Sequence, residues 1–296
     1  MRNLKEFINE NNLLIPNYNE LNIVDLMKCL YAKCGYSVEN SSKINELDSM
    51  IPNNKHYLFI LSDGIGMNLI NKLDNDSIIK QNLKQSIITV FPSTTGCVLT
   101  SVVTALYPEE HGIWGWFNYN RELNRDYFPV LFSDRKSGKN LKDFGVSSND
   151  IFKNDSVLKK LNVKTDILFL AYICDSVYSE FVSYDSNRHP YNDFSDIERI
   201  IKDICESDDL SYTYLYIPDV DSIEHKNGVY SEVTLNKLKE IDNLIKSLSK
   251  NKNLTIVFTA DHGQINISED IVLDFNKYKK FSMLIQVLIL EQLHTM

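Results

Sequence analysis

One aspartate, two aspartate–histidine pairs and one hydroxyl cluster stand out for the chemistry that their residue types allow. Asp63 opens the run Asp63-Gly64-Ile65-Gly66, and Asp221 precedes His225 by four residues. Asp261-His262-Gly263 follows an apolar run, and Ser93, Thr94 and Thr95 lie within V-F-P-S-T-T-G-C. Carboxylate oxygen and imidazole nitrogen together suit a divalent ion, zinc above all, with manganese chemically tolerable. A hydroxyl beside such an ion is a nucleophile. The donors suffice for two ions: Asp63, Asp261, His262 and a threonine oxygen for one, and Asp221, His225 and a further ligand for the other. Two ions about 3.5–4 Å apart would activate the hydroxyl and stabilise the entering and leaving oxygens of a displacement at phosphorus. Taken singly, each motif is also ordinary turn or cap chemistry. Asp219 and Glu224 compete with Asp221 for the carboxylate's part.

The elements that must position these groups are legible in the apolar runs. His56–Ser62, Ser211–Pro218 and Leu254–Ala260 are nearly unbroken, as expected of strands covered on both faces, and Asp166–Tyr172 is a further strand. The acidic motifs follow the ends of the first three, and in open α/β sheets ligands bind at that carboxyl edge. Gln85–Phe91 reads as a buried strand ended by Pro92, and Gly96–Tyr107 as a helix stopped by Pro108. The hydroxyl cluster would then sit at a helix start, where unsatisfied N–H groups and the dipole favour an anion. If the segment around Asp221 coils helically, Asp221 and His225 project from one face. Ile23–Cys34, Phe194–Glu206 and Ser231–Ser249 read as packing helices, and His111 as structural. Residues 118–208 read as an inserted, cap-like region that partly rejoins the sheet, and 264–296 as a shortened or atypical tail of a single domain.

With 296 residues and 43% hydrophobic content, the chain can bury a full core. A formal net charge of −9 argues against general nucleic-acid binding; the displacement at phosphorus suggested by the strand-end motifs makes a small-molecule phosphate ester the expected partner. Five scattered cysteines read as reduced thiols. The opening residues lack a signal-peptide pattern, and no run reaches the roughly 20 apolar residues of a membrane span. A cytoplasmic address with no membrane association is the expectation; oligomeric state is left open.

Taken in order, S-D-G-I-G, F-P-S-T-T with L-Y-P-E-E-H-G, D-S-I-E-H-K-N-G and A-D-H-G resemble the nucleotide pyrophosphatase/phosphodiesterase branch of the alkaline phosphatase superfamily, over about residues 56–265. The resemblance implies an α/β, alkaline phosphatase-like three-layer sandwich with a central, mostly parallel sheet. It also implies two zinc ions and a covalent phospho-threonine intermediate. It selects Thr95 over Thr94, because the family's nucleophile stands nine residues before the threonine that here is Thr104. One zinc would take Asp63, Thr95, Asp261 and His262; the other would take Asp221, His225 and a third ligand, which in the family is a late histidine. After Gly263 this chain has one histidine, His294. Where nucleotide-cleaving relatives carry a phosphate-steadying asparagine, this chain has Trp116. The implied activity is that of a phosphodiesterase or nucleotide pyrophosphatase. The alternatives are a monoesterase, phosphonate hydrolase or sulfatase on the same scaffold, or an impaired relative that only binds a phosphorylated ligand or partner.

Overall fold

Unbroken apolar runs demand cover on both faces, and a parallel sheet between two helical layers supplies it. In the computed structural model, which describes residues 16–266, β1 (His56–Ser62), β5 (Lys164–Leu170), β6 (Asn187–Tyr191), β7 (Ser211–Ile217) and β8 (Leu254–Thr259) form one sheet in the order β6-β5-β7-β1-β8. Every pairing is parallel. Side chains alternate as a strand's two-residue period requires. Tyr57, Phe59, Leu61, Tyr212, Tyr214 and Tyr216 pack with the helices Ile23–Lys33 and Thr95–Thr104. Leu58, Ile60, Leu215 and Ile217 face the helices Phe194–Cys205 and Glu232–Leu248. Burying each such large apolar side chain contributes about 1.5–3 kcal/mol against exposure.

The register decides where chemistry can occur. Ser62 lies opposite Ile217, and Leu61 opposite Thr259, so β1, β7 and β8 end level with one another. The residues that follow them share one edge. Among the described residues β8 pairs with β1 alone.

One expectation needs correction. Gln85–Phe91 is not a strand of the sheet: Ile88 makes a single parallel bridge to Asn22, and Phe91 is exposed. Its β-branched residues lie beside the core, with Val90 buried, and its backbone bonds run to Leu21 and Ile23. The stretch 118–208 rejoins the sheet in part. Its first part forms a small antiparallel sheet of β2 (Asn118–Asn120), β3 (Arg125–Phe128) and β4 (Ser133–Asp134), whereas β5 and β6 belong to the central sheet. His294 and most of the tail lie outside the described residues. No described helix is long and apolar enough to cross a membrane.

Candidate functional site

Asp63 follows β1 directly, and its N–H donates to Ile217 O at 2.9 Å, extending the parallel ladder by one bond. Its Oδ2 accepts the Tyr216 hydroxyl at 2.5 Å, while buried Oδ1 has no hydrogen-bond partner among the described residues. Asp261, fully buried at the end of the β8 run, accepts the Gly64 N–H (3.1 Å) and the His262 N–H (2.8 Å) on Oδ1. Its Oδ2 has no hydrogen-bond partner among the described residues. The His262 ring gathers these groups: Nε2 is 3.5 Å from Asp63 Oδ1, 3.4 Å from Asp261 Oδ2 and 3.2 Å from Thr95 Oγ1.

Two buried carboxylates side by side are electrostatically costly. Burial, then the charge of Asp261, holds the Asp63 carboxyl well above the usual carboxylate range, and burial raises Asp261 as well. Each presents one unpartnered oxygen to the same imidazole nitrogen, and ligand atoms of all three residues lie within 4.8 Å of one another. That donor set fits a divalent metal ion.

Thr95 is the first residue of its helix; Thr94 is the N-cap, yet its hydroxyl makes no cap bond. Of the hydroxyl cluster, Thr95 is the member in contact with His262. The backbone of Gly115 and Trp116 lies against the same helical turn: a Cβ at Gly96 would stand 2.8 Å from Gly115 O and 3.7 Å from Trp116 Cα. Nearby Asn118 is engaged in the turn, with its side chain bonded to the Trp114 N–H and to Gly112 O. His111 lies buried with Nε2 2.9 Å from Ser101 Oγ, and its Nδ1 accepts the Ile113 N–H. It pins the helix to the following turn.

Asp221 and His225 stand on one face of the helix Asp219–Asn227, with Nε2 to Oδ1 at 3.4 Å. The Asp221 N–H donates to Asp63 O at 3.2 Å, which fixes this pair beside the first cluster. Gly64 makes that approach possible. Its φ of 82° favours glycine, and a Cβ there would come 3.0 Å from Asp221 Cα and 2.6 Å from Glu224 Oε2. Glu224 is buried, with neither carboxylate oxygen partnered among the described residues; burial, then the charges of Asp221 and Asp63, pushes it up to about 8.

Two participants escape sequence reasoning. Tyr216 looks like one more core tyrosine of β7, and only the signal that a buried phenol needs a partner hints otherwise. Gln264 donates to Asp221 Oδ1 from just past the D-H-G turn, with no pattern to announce it.

The sequence matches the family described as Type I phosphodiesterase / nucleotide pyrophosphatase over residues 57–291. Bis(5'-adenosyl)-triphosphatase ENPP4 of Homo sapiens is 25% identical over 204 residues, covering 66% of this chain and 42% of its own length. Ectonucleotide pyrophosphatase/phosphodiesterase family member 1 of Mus musculus is 24% identical over 230 residues, covering 71% and 23%. The chain thus spans less than half the length of these relatives. Among solved structures, murine ectonucleotide pyrophosphatase / phosphodiesterase 5 superposes with a TM-score of 0.54 at 18% identity, covering 75% of this chain and 61% of that one. An inactive threonine-to-alanine form of the same protein, in complex with AMP, superposes equally well (TM-score 0.54, 18% identity, 75% and 60% covered). From β1 through the turn after β8, sequence and architecture agree: the chain belongs to the Type I phosphodiesterase / nucleotide pyrophosphatase family and has its alkaline phosphatase-like fold.

Proposed function

We propose that this chain hydrolyses phosphodiester or nucleotide pyrophosphate bonds, with Thr95 as nucleophile and two zinc ions as cofactors. Asp63, Thr95, Asp261 and His262 would hold one ion, and Asp221 and His225 the other. The observation that carries this reading is the meeting of Thr95 Oγ1, Asp63 Oδ1 and Asp261 Oδ2 around His262 Nε2, at 3.2, 3.5 and 3.4 Å. The AMP complex of the murine neighbour, in its inactive threonine-to-alanine form, supports a nucleotide-type substrate and a threonine-dependent activity.

When bound, zinc supplies positive charge that acidifies a hydroxyl and neutralises phosphoryl oxygens. The chain's own groups orient the donors. Tyr216 holds one oxygen of Asp63, and the Gly64 and His262 amides hold one oxygen of Asp261, which turns the remaining oxygens inward. Thr95 Oγ1 attacks phosphorus and gives up its proton to solvent, the bond to the leaving oxygen breaks, and that oxygen takes up a proton from solvent. Amides of the first helical turn face the charge that develops on the phosphoryl oxygens. Water then attacks phospho-Thr95, releasing the phosphorylated product and restoring the hydroxyl.

A substrate panel at fixed zinc tests the reading: bis(4-nitrophenyl) phosphate, 4-nitrophenyl phosphate, a phosphonate monoester and 4-nitrophenyl sulfate. The diester should show the highest kcat/KM. Preference for the monoester, phosphonate or sulfate would assign the site to that chemistry instead. No turnover by a chain carrying two zinc ions would leave binding of a phosphorylated ligand as its function.

Tyr216→Phe should weaken zinc binding by about 10–100-fold, the usual cost of removing a group that orients a metal ligand. A competition titration against a chromophoric chelator measures it. An unchanged affinity would mean that the phenol does not set the position of Asp63.

A further inference from the structure

The turn after His111 lies against the helix that Thr95 opens. A Cβ at Gly96 would stand 2.8 Å from Gly115 O and 3.7 Å from Trp116 Cα, so Trp116 is seated beside the first helical turn. The backbone is pinned on both sides of it. His111 Nδ1 accepts the Ile113 N–H at 3.1 Å, and the Asn118 side chain bonds the Trp114 N–H and Gly112 O at 3.2 and 3.0 Å. The side chains then form a row of rings. Trp116 meets Phe128 of β3 with centroids 6.2 Å apart, Phe128 meets Phe117 edge-on at 6.4 Å, and Arg135 lies over Phe117 at 3.6 Å. Trp116 and Phe128 are half-buried. Among the described residues, the Trp116 side chain makes its ring contact and no hydrogen bond. The turn itself, G-I-W-G-W-F-N from Gly112 to Asn118, carries no charged side chain. This flank of Thr95 therefore offers rings without counter-charge.

Phosphorus under attack by a hydroxyl holds three oxygens between the entering and the leaving one. In a diester one of the three bears the retained ester group; in a monoester it is a further anionic oxygen. Ions and helix amides answer negative charge. A ring face does not, because its π cloud is itself negative, and an anionic oxygen stripped of water against it has no hydrogen bond. An ester group in the same place buries apolar surface on the ring instead.

We propose that Trp116 is a specificity-determining residue: backed by Phe128, its indole packs on the ester group that stays on phosphorus, and so selects diesters, aryl diesters above all, over monoesters. This rests on the reading of Thr95 as nucleophile and names the substrate class of that same site.

Three substrates with a common 4-nitrophenolate leaving group test this on the zinc-loaded chain: phenyl 4-nitrophenyl phosphate, methyl 4-nitrophenyl phosphate and 4-nitrophenyl phosphate. In the unsubstituted protein kcat/KM should fall in that order. Trp116→Ala should shrink the phenyl-to-methyl and the diester-to-monoester ratios by about tenfold or more, the scale on which an apolar contact discriminates. Trp116→Gln should do the same, and it carries the test if Trp116→Ala fails to fold. Trp116→Phe, which keeps a ring and loses the N–H, should keep most of both preferences. The selection should also show without turnover: in the Thr95→Ala protein, adding Trp116→Ala should weaken calorimetric binding of diphenyl phosphate by about tenfold relative to phenyl phosphate. Ratios and relative affinities unmoved by Trp116→Ala and Trp116→Gln would overturn the proposal and leave the reading of Thr95 intact. An equal loss on all three substrates in Trp116→Phe would also overturn it, by assigning the indole N–H to the phosphoryl oxygens whatever the ester. Turnover that survives Thr95→Ala, or none in the unsubstituted protein, would bring down the reading on which the proposal rests, and the proposal with it.

Discussion

Thr95→Ala should abolish hydrolysis of a phosphodiester, by a factor on the order of 10⁴ or more, the scale set by deletion of an enzymatic nucleophile. Metal content should stay close to that of the unsubstituted protein, because Asp63, Asp261 and His262 remain as donors at the first site. The fold should survive, since alanine is the better helix former and the Thr95 hydroxyl caps nothing. Thr95→Ser retains a hydroxyl at the same helical position and should keep measurable turnover. Steady-state rates beside elemental analysis separate the two roles of the side chain. Activity unchanged in the alanine variant would remove Thr95 from the chemistry, and loss of metal in step with activity would make it chiefly a ligand.

Stripped of divalent ions, the protein should lose stability as pH rises from about 6 to 8, and zinc should restore more at pH 8 than at pH 6. The sign follows from three raised carboxyl groups, Asp63, Asp261 and Glu224, the last pushed up to about 8. A carboxyl that holds its proton more tightly folded than unfolded stabilises the fold fully below its unfolded pKa. That contribution is lost as pH rises through the folded value. Buried His111, whose pKa burial lowers from 6.5 to about 4, acts in the opposite sense at lower pH, so the metal-free optimum falls in mild acid. Zinc replaces the protons as counter-charge. At about a thousandfold excess over Kd it adds about 4 kcal/mol, which in a chain of this size moves Tm by on the order of 10 °C. Scanning calorimetry with chelator and with zinc at the two pH values checks this. A zinc shift no larger at pH 8 would show that the carboxyls are not what the ion relieves.

Strands β1, β7 and β8 could be read from sequence almost to the residue because a strand buried on both faces leaves a continuous apolar run, and little else in the chain looks like His56–Ser62 or Ser211–Ile217. Their order in the sheet could not, since parallel neighbours carry no mark of one another. Gln85–Phe91 misled because Ile87, Ile88 and Val90 have strand composition while packing beside the sheet rather than in it. Asp63, Asp261 and His262 were legible as strand-end acids and imidazole, and Asp221 with His225 by their four-residue spacing. Tyr216 and Gln264 were not, because their roles arise from register and from the close packing of Gly66 on Gly263.

The pairing of β1 with both β7 and β8 also sets an order of assembly. The Asp221–His225 pair exists once a single helical turn has formed. Asp63 and Asp261 meet only after segments such as Gly64 and Asp261, 197 residues apart, have closed on each other, and contacts so distant in the chain form late in folding. On the two-metal proposal, an ion captured early by a refolding chain would be held by the local pair and exchange freely. Tight uptake would begin when β8 docks on β1, so the appearance of chelator-resistant metal would time that docking event.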